Sequence, residues 1–233
     1  MLFPLILFSS PRFLLIAMAV IPAALLMRYV YKCDRLDKES PRLLGKLVLM
    51  GIISTLIAYV IEVVTEDIGG LAIQCLIIGF AEEGAKYALL RYKTWREPEF
   101  NCQYDAVVYA VFVSLGFALW ENIRYVLSYG FTTALIRAVT AVPGHACFGV
   151  FMGIWYGLAK RHDLSGNRES AKSCLVLALV LPALTHALYD YIAMAETNDW
   201  VFIVFIAALF YICYQLVKKA SANDTPFFHM FYR

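Results

Sequence analysis

The chain has 233 residues, 61% of them hydrophobic and only 16% charged, with a formal net charge of +2 and a mean hydropathy of +0.67. A soluble domain carries about 25% charged residues to cover its surface, so a water-soluble globule is excluded. Lys and Arg stand in short blocks between apolar runs rather than along one face, which excludes a nucleic-acid groove, and the cysteines include no CxxC pair that would suggest a structural zinc site.

In chain order the apolar runs are Phe13–Met27, Leu43–Val64, Gly70–Leu90, Ala106–Ser128, Pro143–Ala159, Ser173–Ala195 and Trp200–Val217. They approach the roughly 17–25 residues that cross hydrocarbon as a helix, and none shows the two-residue alternation of barrel strands. Lipid offers no partner to an open backbone, so such runs must be helical. The first lacks a small-residue cleavage site and reads as a retained span rather than a signal peptide. The expectation is an all-α polytopic transmembrane helix bundle of about seven spans. It forms one membrane domain over residues 1–233, with 218–233 as a short cytoplasmic tail. Phe131–Val142, which carries Arg137, reads as an interfacial or re-entrant helix, with the break expected at Pro143-Gly144.

Most of the 20 Lys and Arg residues fall on one set of alternating connections. Lys32, Arg35, Lys38 and Arg42 follow the first run, and Arg91, Lys93 and Arg96 follow the third. Lys160, Arg161, Arg168 and Lys172 follow the fifth, and Lys218, Lys219 and Arg233 follow the last. The opposite connections carry Glu66 with Asp67, Tyr129-Gly130, and Glu196 with Asp199. The positive-inside rule then puts the amino terminus outside and the carboxyl terminus in the cytoplasm.

Charges inside such spans are costly and point to a protein-lined cavity. In GFAEEGAKYALL, Glu82 and Lys86 share a helical face at salt-bridge spacing. Glu83 lies about 100° around the helix, so the two carboxylates cannot face one point equally. In VSLGFALWENIRY, Phe117 and Glu121 share a face, with Asn122 beside the acid and Arg124 beyond it as a boundary partner. In the fifth run His145, Gly149, Gly153 and Gly157 line one side, where small residues allow a close helix approach. In the sixth, Pro182, His186 and Asp190 recur every four residues, so the carboxylate can orient the imidazole. At 1.5 Å per residue, Glu82 lies roughly 18 Å from the outer start of its span and His186 roughly 20 Å from the inner start of its own. Glu121 and His145 come out nearer the outside, so the four groups are not coplanar, and a cavity in the outer half of the membrane is expected.

Peptide hydrolysis there needs water, a base and stabilisation of an oxyanion. Glu82 or Glu83 can serve as the base, with His145 and His186 as donors and Lys86 neutralising one glutamate. Alternatively, Glu121, His145 and His186 form a two-His, one-carboxylate set for Zn2+. No HExxH, GxSxG or P-loop sequence supports another chemistry. Buried carboxylates and histidines also line ion pathways, so an ion-coupled transporter is the rival reading.

Taken together, Asp34 through Glu39 with Pro41, Glu82-Glu83-x-x-Lys86, Ser114-Leu115-Gly116-Phe117 leading to Glu121-Asn122, His145 with Gly149, and His186 with Asp190 resemble the PrsW family of intramembrane proteases. That family is related more distantly to the CAAX-processing and bacteriocin-processing membrane enzymes. The resemblance implies a multi-pass enzyme of the bacterial cell membrane that cuts a membrane-anchored anti-sigma factor on its extracytoplasmic side. Prenyl-protein proteases show EExxxR, FxxxH and HxxxN. Here Lys86 replaces the Arg one residue early, Glu121 the first His and Asp190 the Asn, which speaks against prenylated substrates.

Overall fold

A computed structural model describes residues 11–195 and 198–227, with side chains from residue 15 onward. Glu196 and Arg233, two of the topology markers, lie outside the described residues. The described chain is helical almost throughout: α1 (Pro11–Cys33), α2 (Pro41–Thr65), α3 (Leu71–Thr94), α4 (Asp105–Val139), α5 (Ala141–Leu164), α6 (Arg168–Met194) and α7 (Asp199–Ala222). Local sequence sets the starts. Ser40 accepts from the Leu43 amide with Pro41 at the first helical position, and Asn167 and Asn198 cap α6 and α7 in the same way.

Five stretches are apolar and long enough to cross a membrane, and one of them, Asp105–Leu164, contains both α4 and α5. The helix outside these stretches is α3, which carries Glu82, Glu83, Lys86, Arg91 and Lys93. Leu56, Val60 and Val64 on α2 and Ile203 and Val204 on α7 point outward, whereas Glu82, Glu83, Lys86, Asn122, His145 and His186 are buried. A fold with apolar groups outside and ionisable groups inside is stable in lipid rather than water.

The helices pack as a closed ring in the order α2, α4, α5, α6, α3 and back to α2, with α1 outside against α4 and α7 outside against α5. Glycines bring the walls together. A Cβ on Gly153 would sit 2.5 Å from the Val107 Cα, and one on Gly149 2.9 Å from the Val111 Cα, so the expected small-residue face of α5 packs on α4 within the chain. Gly51 and Gly116 join α2 to α4, and Gly79 joins α3 to α6, by similar approaches.

The break near Phe131–Val142 differs from expectation. Gly130 has φ 81° and ψ −159°, which reverses α4. Such a φ suits glycine because no Cβ is present to clash. Residues 131–139 then form a short helix that turns back along α4: Ala134 packs with Val126 and Ala19, and Arg137 reaches Asn122 at 3.0 Å. The second break is at Thr140, not at Pro143-Gly144. Pro143 lies in the first turn of α5, where its missing N–H costs nothing.

At the end carrying the Lys- and Arg-rich connections, the described part of the expected tail continues the bundle. Helix α7 continues to Ala222, and the next residues dock on the 101–104 loop through a Cys102–Pro226 bridge and a bond from the Phe227 amide to the Asn101 carbonyl (2.8 Å). The Ser221 hydroxyl donates to the Cys33 carbonyl. In the α1–α2 connection, burial pushes the Asp34 carboxyl up to about 6. Burial, reinforced by Asp105, pushes that of Glu39 up to about 9.

Candidate active site

Inside the ring, α3 supplies Glu82, Glu83 and Lys86, α4 supplies Phe117 and Glu121, α5 supplies His145, and α6 supplies His186 and Asp190. Lys86 is completely buried at the centre. Its ammonium lies 2.7 Å from Glu83 Oε1, 3.2 Å from Glu82 Oε2 and 3.1 Å from His145 Nδ1. An ammonium has three donors and no lone pair, so these three acceptors satisfy it. It also sits 3.9 Å above the Phe117 ring, a cation–π contact, so Phe117 does more than fill space.

The contacts of Lys86 decide the tautomer of His145. Nδ1 must accept from the ammonium, which places the ring proton on Nε2, where it donates to Glu121 Oε2 at 2.9 Å. That carboxylate is also held by Arg137 at 3.1 Å. Arg124, the boundary partner suggested by the sequence, instead lies over the Tyr59 ring. The reversal at Gly130 is what brings Arg137 back to Glu121.

His186 faces carboxylates on both nitrogens. Nδ1 is 3.0 Å from Glu83 Oε1 and 3.8 Å from Glu82 Oε2, and Nε2 is 3.5 Å from Asp190 Oδ2. The two imidazoles stand edge to face, 5.2 Å apart by ring centres. The 100° offset between the two glutamates appears as a division of place. Glu82 lines a cavity of about 510 Å3 together with Phe117, Glu121, His145, His186 and Asp190. Glu83 lies behind it with no exposed surface, bonded to Lys86 and His186. Asn122 points elsewhere, from Arg137 to the Ala19 carbonyl on α1.

The groups that a metal ion could hold together are Glu82, Glu83, His145 and His186, each offering one ligand atom within 4.8 Å of the others. Two imidazoles and two carboxylates suit Zn2+ by donor chemistry, and Glu83 Oε2 is buried without a hydrogen bond, so the residues fit such an ion, which would take the place that the Lys86 ammonium holds among Glu82, Glu83 and His145. The set differs from the expected Glu121, His145 and His186, because Glu121 adjoins it through His145 alone.

Two participants were not anticipated from the sequence. Glu62 on α2 lines the same cavity, and its only sequence signal is an isolated acid within the apolar run AYVIEVV. Arg137 is visible as a charge in an awkward segment, but its partner depends on the chain reversal.

Comparison with known proteins bears on this geometry. Residues 39–217 match the family described as PrsW family intramembrane metalloprotease. Among curated relatives, Protease PrsW of Bacillus subtilis (strain 168) is 33% identical over 218 residues, covering 90% of this chain and 97% of that protein. Protease PrsW of Halalkalibacterium halodurans is 32% identical, covering 91% and 99%, and that of Clostridioides difficile (strain 630) is 30% identical, covering 82% and 84%. No solved structure gives a significant match. The match over most of its length and the similarity to these proteases show that the chain, with its helix ring and buried Glu, His and Lys cluster, belongs to the PrsW family of intramembrane metalloproteases.

Proposed function

We propose that Glu82 activates water for cleavage of a membrane-anchored anti-sigma factor near its extracytoplasmic side. The observation that carries this reading is the position of Glu82, which belongs both to the cavity wall and to the cluster of possible metal ligands. Glu82 takes a proton from water as the water oxygen adds to the peptide carbonyl, and that proton passes to the departing amine. His186, held firmly at Nδ1 by Glu83 and only loosely at Nε2 by Asp190 3.5 Å away, donates from Nε2 towards the developing oxyanion. Glu121 and Arg137 hold the ring of His145, and Lys86 keeps Glu83 as a charged partner rather than a competing base.

Glu82, Glu83, His145 and His186 are the residues that would hold Zn2+. When bound, Zn2+ polarises a carbonyl and makes nearby water more acidic. The cavity lies towards the ends of the helices remote from the basic connections. With those connections cytoplasmic and the amino terminus outside, it lies in the outer half of the membrane. The anti-sigma factor comes from the family resemblance in the sequence motifs.

The test is cleavage in proteoliposomes, with an anti-sigma factor and an unrelated single-span protein as substrates. Glu82→Gln should lower turnover by about 10²–10⁴ while the protein still folds; full cleavage by the folded variant sinks the glutamate base. Metal content measured alongside activity decides the Zn2+ reading, which fails if metal-free protein cleaves normally. Cleavage of the control with the anti-sigma factor left intact overturns the substrate assignment.

A further inference from the structure

A second cluster lies at the opposite, basic end of the bundle. Asp34 and Glu39 from the α1–α2 connection and Asp105 from the first turn of α4 bring carboxylate oxygens within 4.8 Å of one another. Their exposures are 1%, 4% and 0%, so water does not solvate them freely. Two of the three are positioned by bonds to the scaffold. Glu39 Oε2 accepts from the Tyr109 hydroxyl at 2.7 Å, and Asp105 Oδ2 accepts from the Asn101 and Cys102 amides at 2.9 and 2.6 Å.

The oxygens left over are the telling feature. Both carboxylate oxygens of Asp34 and Oδ1 of Asp105 are enclosed without a hydrogen bond of ordinary geometry, as is Oδ2 of neighbouring Asp224. The Leu36 amide lies close to Asp34 but does not meet that geometry. Oδ1 of Asp224 accepts from the Tyr104 and Thr225 amides, at 2.8 and 2.9 Å. Among the described residues no ion pair reaches any of these four acids. Lys38, the nearest cation in sequence, directs its ammonium to the backbone carbonyls of Tyr31 and Asp34 and over the Tyr31 ring.

Buried carboxylates with open lone pairs and no direct ion pair are costly, their mutual repulsion adds to that cost, and the single nearby ammonium of Lys38 offsets only part of it. An oxygen-only set without imidazole or thiolate suits a hard cation and disfavours zinc or copper. We infer that Asp34, Glu39 and Asp105, with Asp224 at the rim, form a second metal site for a hard divalent cation of the Mg2+ and Ca2+ class. Such an ion ties the α1–α2 connection and the docked 223–227 segment to the start of α4. The site is independent of the proposed cleavage chemistry.

Equilibrium dialysis of the full chain in detergent against radioactive Ca2+, with Mg2+ as competitor and ionic strength held constant by NaCl, tests this. Wild type should bind Ca2+ saturably, with displacement by Mg2+ showing that both ions use the site. Asp34→Asn, which preserves shape and relieves repulsion, should weaken binding about 100-fold or more. Tyr109→Phe, which frees Glu39 without removing a ligand, should weaken it less. Glu82→Gln should bind as wild type does. Should Asp34→Asn fail to fold, Tyr109→Phe together with Glu82→Gln still decides the matter. Absence of saturable binding, binding unchanged in both Asp34→Asn and Tyr109→Phe, or binding lost in Glu82→Gln would each overturn the assignment.

Discussion

The two buried acidic clusters face the same electrostatic problem with different partners. In the ring, Glu82, Glu83 and Glu121 meet an ammonium, two imidazoles and a guanidinium brought from other turns and helices. At the basic end, Glu39 and Asp105 meet two backbone amides and one phenol, all uncharged, and Asp34 has only the Lys38 ammonium nearby, without an ion pair. The first arrangement balances its charge internally and contains groups that can pass protons. The second has fixed geometry but no mobile proton donor other than a phenol. Burial of acids is therefore not evidence of catalysis by itself; the nitrogen partners distinguish a reaction site from a cation clamp.

The largest effect should come from Glu82→Gln and Glu83→Gln measured side by side. The first removes the acid at the cavity wall and should lower cleavage by about 10³ without disturbing the fold. The second should lower cleavage and thermal stability together, because Glu83 holds both Lys86 and His186. Equal stability losses in the two variants would contradict the division of place between these glutamates.

Lys86→Met makes the ring cluster resemble the basic-end one by stripping its ammonium. Leaving Glu83 buried without that partner should destabilise the protein by about 3–5 kcal/mol, read as a fall in melting temperature. Added Zn2+ should restore part of the loss. Stability unchanged by the substitution would mean that Lys86 is not the counter-charge.

Gly153→Val alters neither cluster directly but forces a Cβ to within 2.5 Å of the Val107 Cα. Spreading α4 from α5 should cost about 1–3 kcal/mol and reduce cleavage, since Glu121 and His145 lie on those two helices. Calcium binding at the basic end should survive if the clusters are separate. The smallest effect is expected for Asp190→Asn, which weakens the hold on His186 Nε2: about a 10-fold loss of turnover, with the melting temperature little changed.

Much of the helix order was legible from the sequence, because apolar length and the spacing of charged blocks are local properties. Four-residue spacing likewise paired Glu82 with Lys86 and His186 with Asp190, and both pairs appear in the structure. Depth counted along each helix as an independent rod does not bring the four groups together. The reversal at Gly130 returns the chain along α4 and starts α5 beside Glu121, a tertiary event with no periodic signal. The same reversal pairs Glu121 with Arg137 rather than Arg124. The basic-end cluster was hidden for a related reason: Asp34 and Glu39 belong to one loop, but their third member, Asp105, follows two further helices.

The ring's junctions also differ in how they can part. Backbones touch through glycine where α2 meets α4, α4 meets α5 and α3 meets α6, so sliding at those seams drags main chain against main chain. Neither α5–α6 nor α2–α3 has a comparably tight glycine contact; α2 and α3 are joined at the end remote from the basic connections by residues 66–70, whereas α5 and α6 are connected only at the basic end by residues 165–167. These two helices are built like tongs, pinned at one end and separated by side chains that can change rotamer at the other. Their free ends carry His145 and Asp190 and border the cavity. A substrate segment entering sideways from lipid there would part side chains rather than main chain, and spreading the tongs would shift the imidazole of His145 relative to Lys86. Entry and alignment of the site would then be a single motion.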